Sequence, residues 1–172
     1  GGTGAYTYVL NGGTPQSGNT YSNLAVGTYT VVVFDINGCS VTSAPFTISN
    51  PPLLIASAQG SSQVSCHDAN DGVITVTASG GTGALGYSLN GGTPQSSNIF
   101  NGLAAGTYTV LVTDANGCSA MTSAVIINNP PLLIATATGS SQVSCHNASD
   151  GTITVTATGG TGELRYSLNG GT

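Results

Sequence analysis

The stretch "NGLAAGTYTVLVTDANGCS", Asn101 to Ser119, decides the fold class, and it occurs almost verbatim earlier as "SNLAVGTYTVVVFDINGCS", Ser22 to Ser40. In the later copy Tyr108, Val110 and Val112 alternate with Thr109, Leu111 and Thr113. A period of two places the first set on the inner face of a strand and the second on the outer face. Asn116-Gly117 follows, a dipeptide that adopts the positive φ angles of a tight hairpin. The spacing Leu103-x-x-Gly106-x-Tyr108, repeated at Leu24, Gly27 and Tyr29, is that of a tyrosine corner. There, a Tyr near the start of the penultimate strand of a sandwich bonds back to nearby backbone.

The two copies belong to one register. Cys39 matches Cys118 and Cys66 matches Cys145, each 79 residues apart (118 − 39 and 145 − 66). Tyr8, Tyr87 and Tyr166 keep the step, as do "GGTG" at Gly1, Gly80 and Gly159 and "NPPLL" at Asn50 and Asn129. Such self-similarity at a fixed period marks a tandem array. Proline lacks a ladder donor and stiffens the chain, so Pro51-Pro52 and Pro130-Pro131 are the expected joints between repeats. Residues 51–129 then form a complete repeat, 1–50 the C-terminal part of a preceding one, and 130–172 the N-terminal part of the next. The chain reads as a window on a longer array; the alternative is a protomer whose open ends complete each other head to tail, by donor-strand exchange.

Within 51–129 short alternating runs are separated by turns. "VITVTAS" places Ile74, Val76 and Ala78 on one face and Val73, Thr75 and Thr77 on the other. "HDANDG", "GGTG", Asn90-Gly91 and Asn116-Gly117 supply the turns. Six or seven short strands in about 80 residues predict an all-β fold, a two-sheet sandwich of immunoglobulin type. Repeated every 79 residues, these Ig-like β-sandwich units make an elongated array or filament.

Composition narrows the function classes. One Arg and no Lys stand against six carboxylates, so the chain cannot neutralise a run of phosphates, and nucleic acid is not an expected partner. The same shortage speaks against docking on an anionic membrane, and no apolar run approaches the ~20 residues of a spanning helix. Catalysis has little material: apart from Asp68 and Asp71 no carboxylates lie close together, and no Ser or Cys has a His/Asp set that recurs with the period. No enzyme is expected, and no cofactor.

The order "VSCHDANDGVITVTASGGTGALGYSLNGG", then "LAAGTYTVLVTDANGC", resembles the SprB-type repeats of very large surface adhesins in gliding Bacteroidota, themselves similar to PKD and other Ig-like extracellular repeats. The resemblance covers nearly the whole chain. It implies export across a bacterial outer membrane by type IX secretion, an extracellular, cell-surface location, and a role in cell adhesion, filament building or gliding motility. Its implied partners are neighbouring repeats of the same chain and other copies in a filament.

In a secreted chain, regularly spaced cysteines usually pair. A Cys66–Cys118 bridge within the repeat is the leading expectation, worth about 4 kcal/mol by chain entropy; Cys39 and Cys145 would then pair outside the chain. A bridge across a junction, Cys39 to Cys66, and free thiols are the alternatives. Cys66-His67 and Cys145-His146 offer too few ligands for zinc. Asp68, Asn70 and Asp71 form a fragment of a calcium loop, but the next copy, "HNASDG", has lost a carboxylate, so a turn is the better reading. Asp35 and Asp114 are expected to form Asx turns. The rows Thr75/Thr77 and Thr109/Thr113 face outward, which leaves a glycan- or surface-binding module, using loops or the Thr-rich strand face, as the alternative function. Asn147 begins a formal glycosylation sequon.

Overall fold

The structure, a computed structural model, describes residues 2 and 4–169. Those residues form antiparallel strands and, among them, no helix. They fall into two compact units, Gly1–Pro52 and Leu53–Thr172.

The first unit contains β1 (Thr7–Leu10), β2 (Gly27–Tyr29), β3 (Val31–Phe34), β4 (Ser40–Thr42) and β5 (Phe46–Ile48). The Val-rich β3 lies between β1 and β4, and β2 pairs with β5. Thr28 and Thr47 face each other across the second pair with their hydroxyls 3.1 Å apart.

The second unit opens with a full set of strands: β6 (Ile55–Gly60), β7 (Gly72–Ser79), β8 (Gly86–Leu89), β9 (Ile99–Leu103), β10 (Gly106–Tyr108), β11 (Val110–Thr113), β12 (Ser119–Met121) and β13 (Val125–Ile127). They form the sheets β6-β7-β9 and β12-β11-β8, with β10 paired to β13. Alternation decides what meets between the sheets. Ile74 and Val76 of β7 and Val110 and Val112 of β11 are buried, joined by Tyr87, Leu54, Val64 and Ile127. Each buried aliphatic side chain contributes about 1.5–3 kcal/mol, so this two-layer, sandwich-like core holds the unit together. The sheets do not close into a barrel.

The run from Gly106 to Thr113, expected as one strand, divides at Thr109. There the chain stops pairing with β13 and starts pairing with β8 and β12. Side chains supply the missing ladder bonds: Thr109 N–H donates to Asn90 Oδ1 at 2.8 Å, and Val110 N–H to the buried Thr122 Oγ1 at 3.0 Å. The closing run divides as well, into β12 and β13, so the strands of 51–129 exceed the expected six or seven.

Beyond Pro131, β14 (Ile134–Gly139) and β15 (Ile153–Thr158) form a hairpin that repeats the β6/β7 register one period on. Its apolar face is bare among the described residues: Ile153 is 62% exposed, where Ile74, one period earlier, is 0%.

Candidate functional site at the junction between repeats

Each repeat has an entrance end, where the chain arrives, and an exit end, where it leaves. At the entrance the turn Gly80–Thr82 folds over Leu53 and Leu54. Gly80 takes φ +79°, and a Cβ there would overlap the Leu53 carbonyl oxygen, so glycine is required on both counts. Gly159 repeats this against the Leu132 carbonyl, and Gly160 N–H donates to Pro131 O at 2.9 Å.

Asp114 organises the same end. Its carboxylate accepts the Thr82 N–H at 2.8 Å through one oxygen, and the Asn116 and Cys118 N–H groups at 2.9 and 2.8 Å through the other. Burial pushes its pKa up, but the N–H groups of Thr82, Cys118, Asn116 and Gly117 outweigh this and hold it below the ordinary 3.8. Asp35 makes the equivalent bonds to Asn37 and Cys39 in the first unit.

At the exit end, Asn128 forms a short parallel bridge with Gln63. Val64 N–H donates to Asn128 O, and Asn128 N–H to Ser62 O, both at 3.1 Å. Asn129 then clamps Asp68 from two sides: Asp68 N–H donates to Asn129 Oδ1 at 2.9 Å, and Asn129 Nδ2 donates to Asp68 Oδ1 at 2.8 Å. His67 Nδ1 lies 2.9 Å from the Pro130 carbonyl oxygen. That oxygen can only accept, so Nδ1 carries the proton and donates. Pro130 itself is fully buried.

The exit of one repeat meets the entrance of the next directly. Thr161 Oγ1 donates to Ser65 O at 2.8 Å, a contact between residues 96 apart in sequence. Beside it lies a hollow of about 420 Å³, walled by Cys66 and His67 on one side and by Leu132, Gly160, Leu164 and Arg165 on the other.

The tyrosine corners are built on side chain to backbone bonds: Tyr108 Oη donates to Ala104 O at 2.9 Å and Tyr29 Oη to Ala25 O at 2.7 Å. Leu103 packs against the core ahead of the first of these. A Cβ added at Gly106 or Gly27 would stand 3.5 Å from the ring of Tyr108 or Tyr29.

The cysteine expectation needs correction. Cys39, Cys66, Cys118 and Cys145 are all exposed thiols, and the Cys66–Cys118 bridge is not formed. The physical reason is the position of the two residues. Cys118 is tied through Asp114 to the Thr82 turn at the entrance end, whereas Cys66 stands beside Asn129 and Pro131 at the exit end.

The carboxylates of Asp68 and Asp71 are each bound within the fold. Asp68 is committed to Asn129, with His67 Nε2 3.6 Å from its second oxygen, and Asp71 Oδ1 accepts the Ser65 N–H at 3.0 Å. Among the described residues no group of three His, Cys, Asp or Glu is placed to hold a metal ion. Thr75 and Thr77 are exposed, while Thr109 and Thr113 are half-buried. The sequence reading missed the parts played by His67, Asn129 and Thr161. Only the recurrence of Cys-His, Asn-Pro-Pro and Gly-Gly-Thr-Gly at a constant step hinted that these residues share one place.

A family model described as SprB repeat matches residues 58–94 and 137–172. The two matches begin one period apart (137 − 58 = 79), and together they contribute both sides of the Ser65–Thr161 contact. A search of curated proteins found no match.

Proposed function

Because two stretches of this chain are SprB repeats, a repeat of cell-surface proteins, we propose that it is a structural and adhesive segment of a long extracellular fibre, without catalysis. The observation that carries this reading is the junction at Pro130: one repeat ends on the next through His67, Asp68, Asn129 and Thr161, and the period renews the His, the second Asn and the Thr, while Asn147 stands where Asp68 does. In a serial array stiffness is set by such nearest-neighbour interfaces. The units are immunoglobulin-like: β7 pairs with β6 and β9, β11 pairs with β8 and β12, and a Tyr closes the corner before β11. The segment is exported through the outer membrane and serves attachment or gliding, with neighbouring repeats, and other copies in a filament, as its partners.

Electron micrographs of the native assembly test this. A thread or filament with a regular axial increment supports it, and compact particles overturn it. The second reading, a glycan- or surface-binding module, draws on the exposed threonines of the hairpin faces, where Thr136 pairs with Thr156 and Thr138 with Thr154. Saturable binding of the full chain to one glycan class would favour it over a pure spacer.

A further inference from the structure

The chain's one Arg, in a sequence without Lys, lies on the junction hollow of about 420 Å³. With six carboxylates in the sequence an ion pair is the expected fate of such a residue. Among the described residues, however, no carboxylate and no hydrogen-bond acceptor engages the Arg165 guanidinium. Glu163, on the same hollow, is equally unengaged. The fold asks for neither charge. One and two periods earlier the matching residues are Gly86 and Thr7 for Arg165 (165 − 86 = 79) and Ala84 and Ala5 for Glu163 (163 − 84 = 79), and β8 and β1 start there without them.

His67 adds a third polar group to the wall. Its Nδ1–H is committed to Pro130 O, so in the neutral ring Nε2 offers a lone pair. Asp68 Oδ2, 3.6 Å away, is itself an acceptor, and Nε2 is left without a donor. The rest of the wall is largely aliphatic: Leu132 and Leu133 are 56% and 55% exposed, and Leu164 lies beside them. The hollow thus lacks a planar anion for the guanidinium fork, hydroxyl donors for Glu163 and Nε2, and an apolar face for the leucines. A sugar ring that bears a carboxylate carries all three. A neutral sugar leaves Arg165 unmet, and a fatty acid leaves Glu163 and Nε2 unmet.

We propose that the junction hollow binds an acidic sugar, a hexuronic acid residue of a polysaccharide. Arg165 holds its carboxylate, His67 Nε2 and Glu163 accept from its hydroxyls, and the leucines cover its C–H face. The inference deepens the adhesive reading, on which it rests, by naming what the fibre adheres to. The hollow falls in the size range of small-ligand sites, about 300–1,000 Å³. His67 belongs to one repeat and Arg165 to the next, so the site exists only where two repeats meet, and an occupied site ties them together. A net charge of −5 gives an anion no long-range attraction, so binding depends on the contacts inside the hollow.

The test uses the full chain and three probes: a trimer of galacturonic acid, a trimer of glucuronic acid, and the methyl ester of the first, which keeps the rings and hydroxyls but has no charge. Amide signals are followed by NMR as each probe is added. The expected result is a saturable shift at Cys66, Thr161 and Leu164 with at least one acid trimer, and binding about tenfold weaker for its ester and for Arg165→Gln. Arg165→Gln should melt with the unmodified chain, because the guanidinium makes no bond in the fold; Arg165→Lys, which keeps the charge and loses the fork, should fall between. No saturable shift with either acid trimer, equal binding of acid and ester, or undiminished binding by Arg165→Gln overturns the proposal. The acid and ester comparison on the unmodified chain decides the matter even if a variant misfolds. Micrographs judge the fibre reading separately: regular fibres that bind no uronate sink the ligand alone, and compact particles that bind the trimer sink the fibre alone.

Discussion

His67 Nδ1 sits 2.9 Å from the carbonyl oxygen of Pro130, 63 residues further along the chain. A proline carbonyl at a repeat boundary has no ladder partner, and this imidazole supplies one where Pro130 is fully buried. Replacing His67 with Ala leaves that acceptor unmet, at a cost of about 1 kcal/mol. The loss should show in thermal unfolding of the full chain, with faster amide exchange at Asn128 and Asn129 but not in β7. An unchanged melt with unchanged exchange would contradict the assigned bond.

Tyr108 and Ala104 test the corner. Tyr108→Phe keeps the ring and removes only the donor to Ala104 O, so it should cost about 1 kcal/mol. Urea unfolding at constant slope would report it as a lower midpoint.

Ile74 and Ile153 occupy the same position one period apart, yet the first is 0% and the second 62% exposed. Ile74→Ala should therefore cost roughly 2–5 kcal/mol, and Ile153→Ala should change stability by about 0.5 kcal/mol or less. Equal effects in paired denaturation curves would show that the hairpin face is covered in solution.

Acid should loosen the fold in a definite direction. Hydrogen bonds from Ser65 and Ser144 hold Asp71 and Asp150 below 3.8; for Asp114, burial works against the lowering but four backbone N–H groups prevail. A carboxyl whose folded value is depressed adds stability above its unfolded value, and that stability is lost as pH falls through the folded one. Melting temperature should thus be flat above about pH 5 and fall progressively below pH 3.8. Asp114→Asn should flatten the fall; an unaltered profile would remove Asp114 from the account.

Calcium should leave the protein unchanged. Asp68 and Asp71 are turned to Asn129 and Ser65, and Ca²⁺ needs six to eight oxygens around one point. Melting temperatures with millimolar calcium and with chelator should coincide.

The strand faces were legible because alternation is local: Ile74, Val76, Val110 and Val112 announce a buried side by their spacing alone. The division at Thr109 was not, since it depends on Asn90 and Thr122 arriving from other strands to complete the hydrogen bonds. The cysteines misled for a related reason. Two thiols in one repeat suggest a pair, but Asp114 and Asn129 anchor their surroundings at opposite ends. Likewise His67 and Thr161 read as ordinary turn residues, because contacts between residues 63 and 96 apart leave no local pattern.

The bare hairpin β14–β15 also says something about the order of events as such a chain is made. Its strands join across 13 residues, whereas β8 and β11 must close about 20 residues and β10 and β13 must then find each other. Short closures come first. A nascent unit therefore holds its first two strands paired and its oily side uncovered until the remainder of the sequence emerges, and the interval between those moments is when it is most open to clinging to the wrong neighbour.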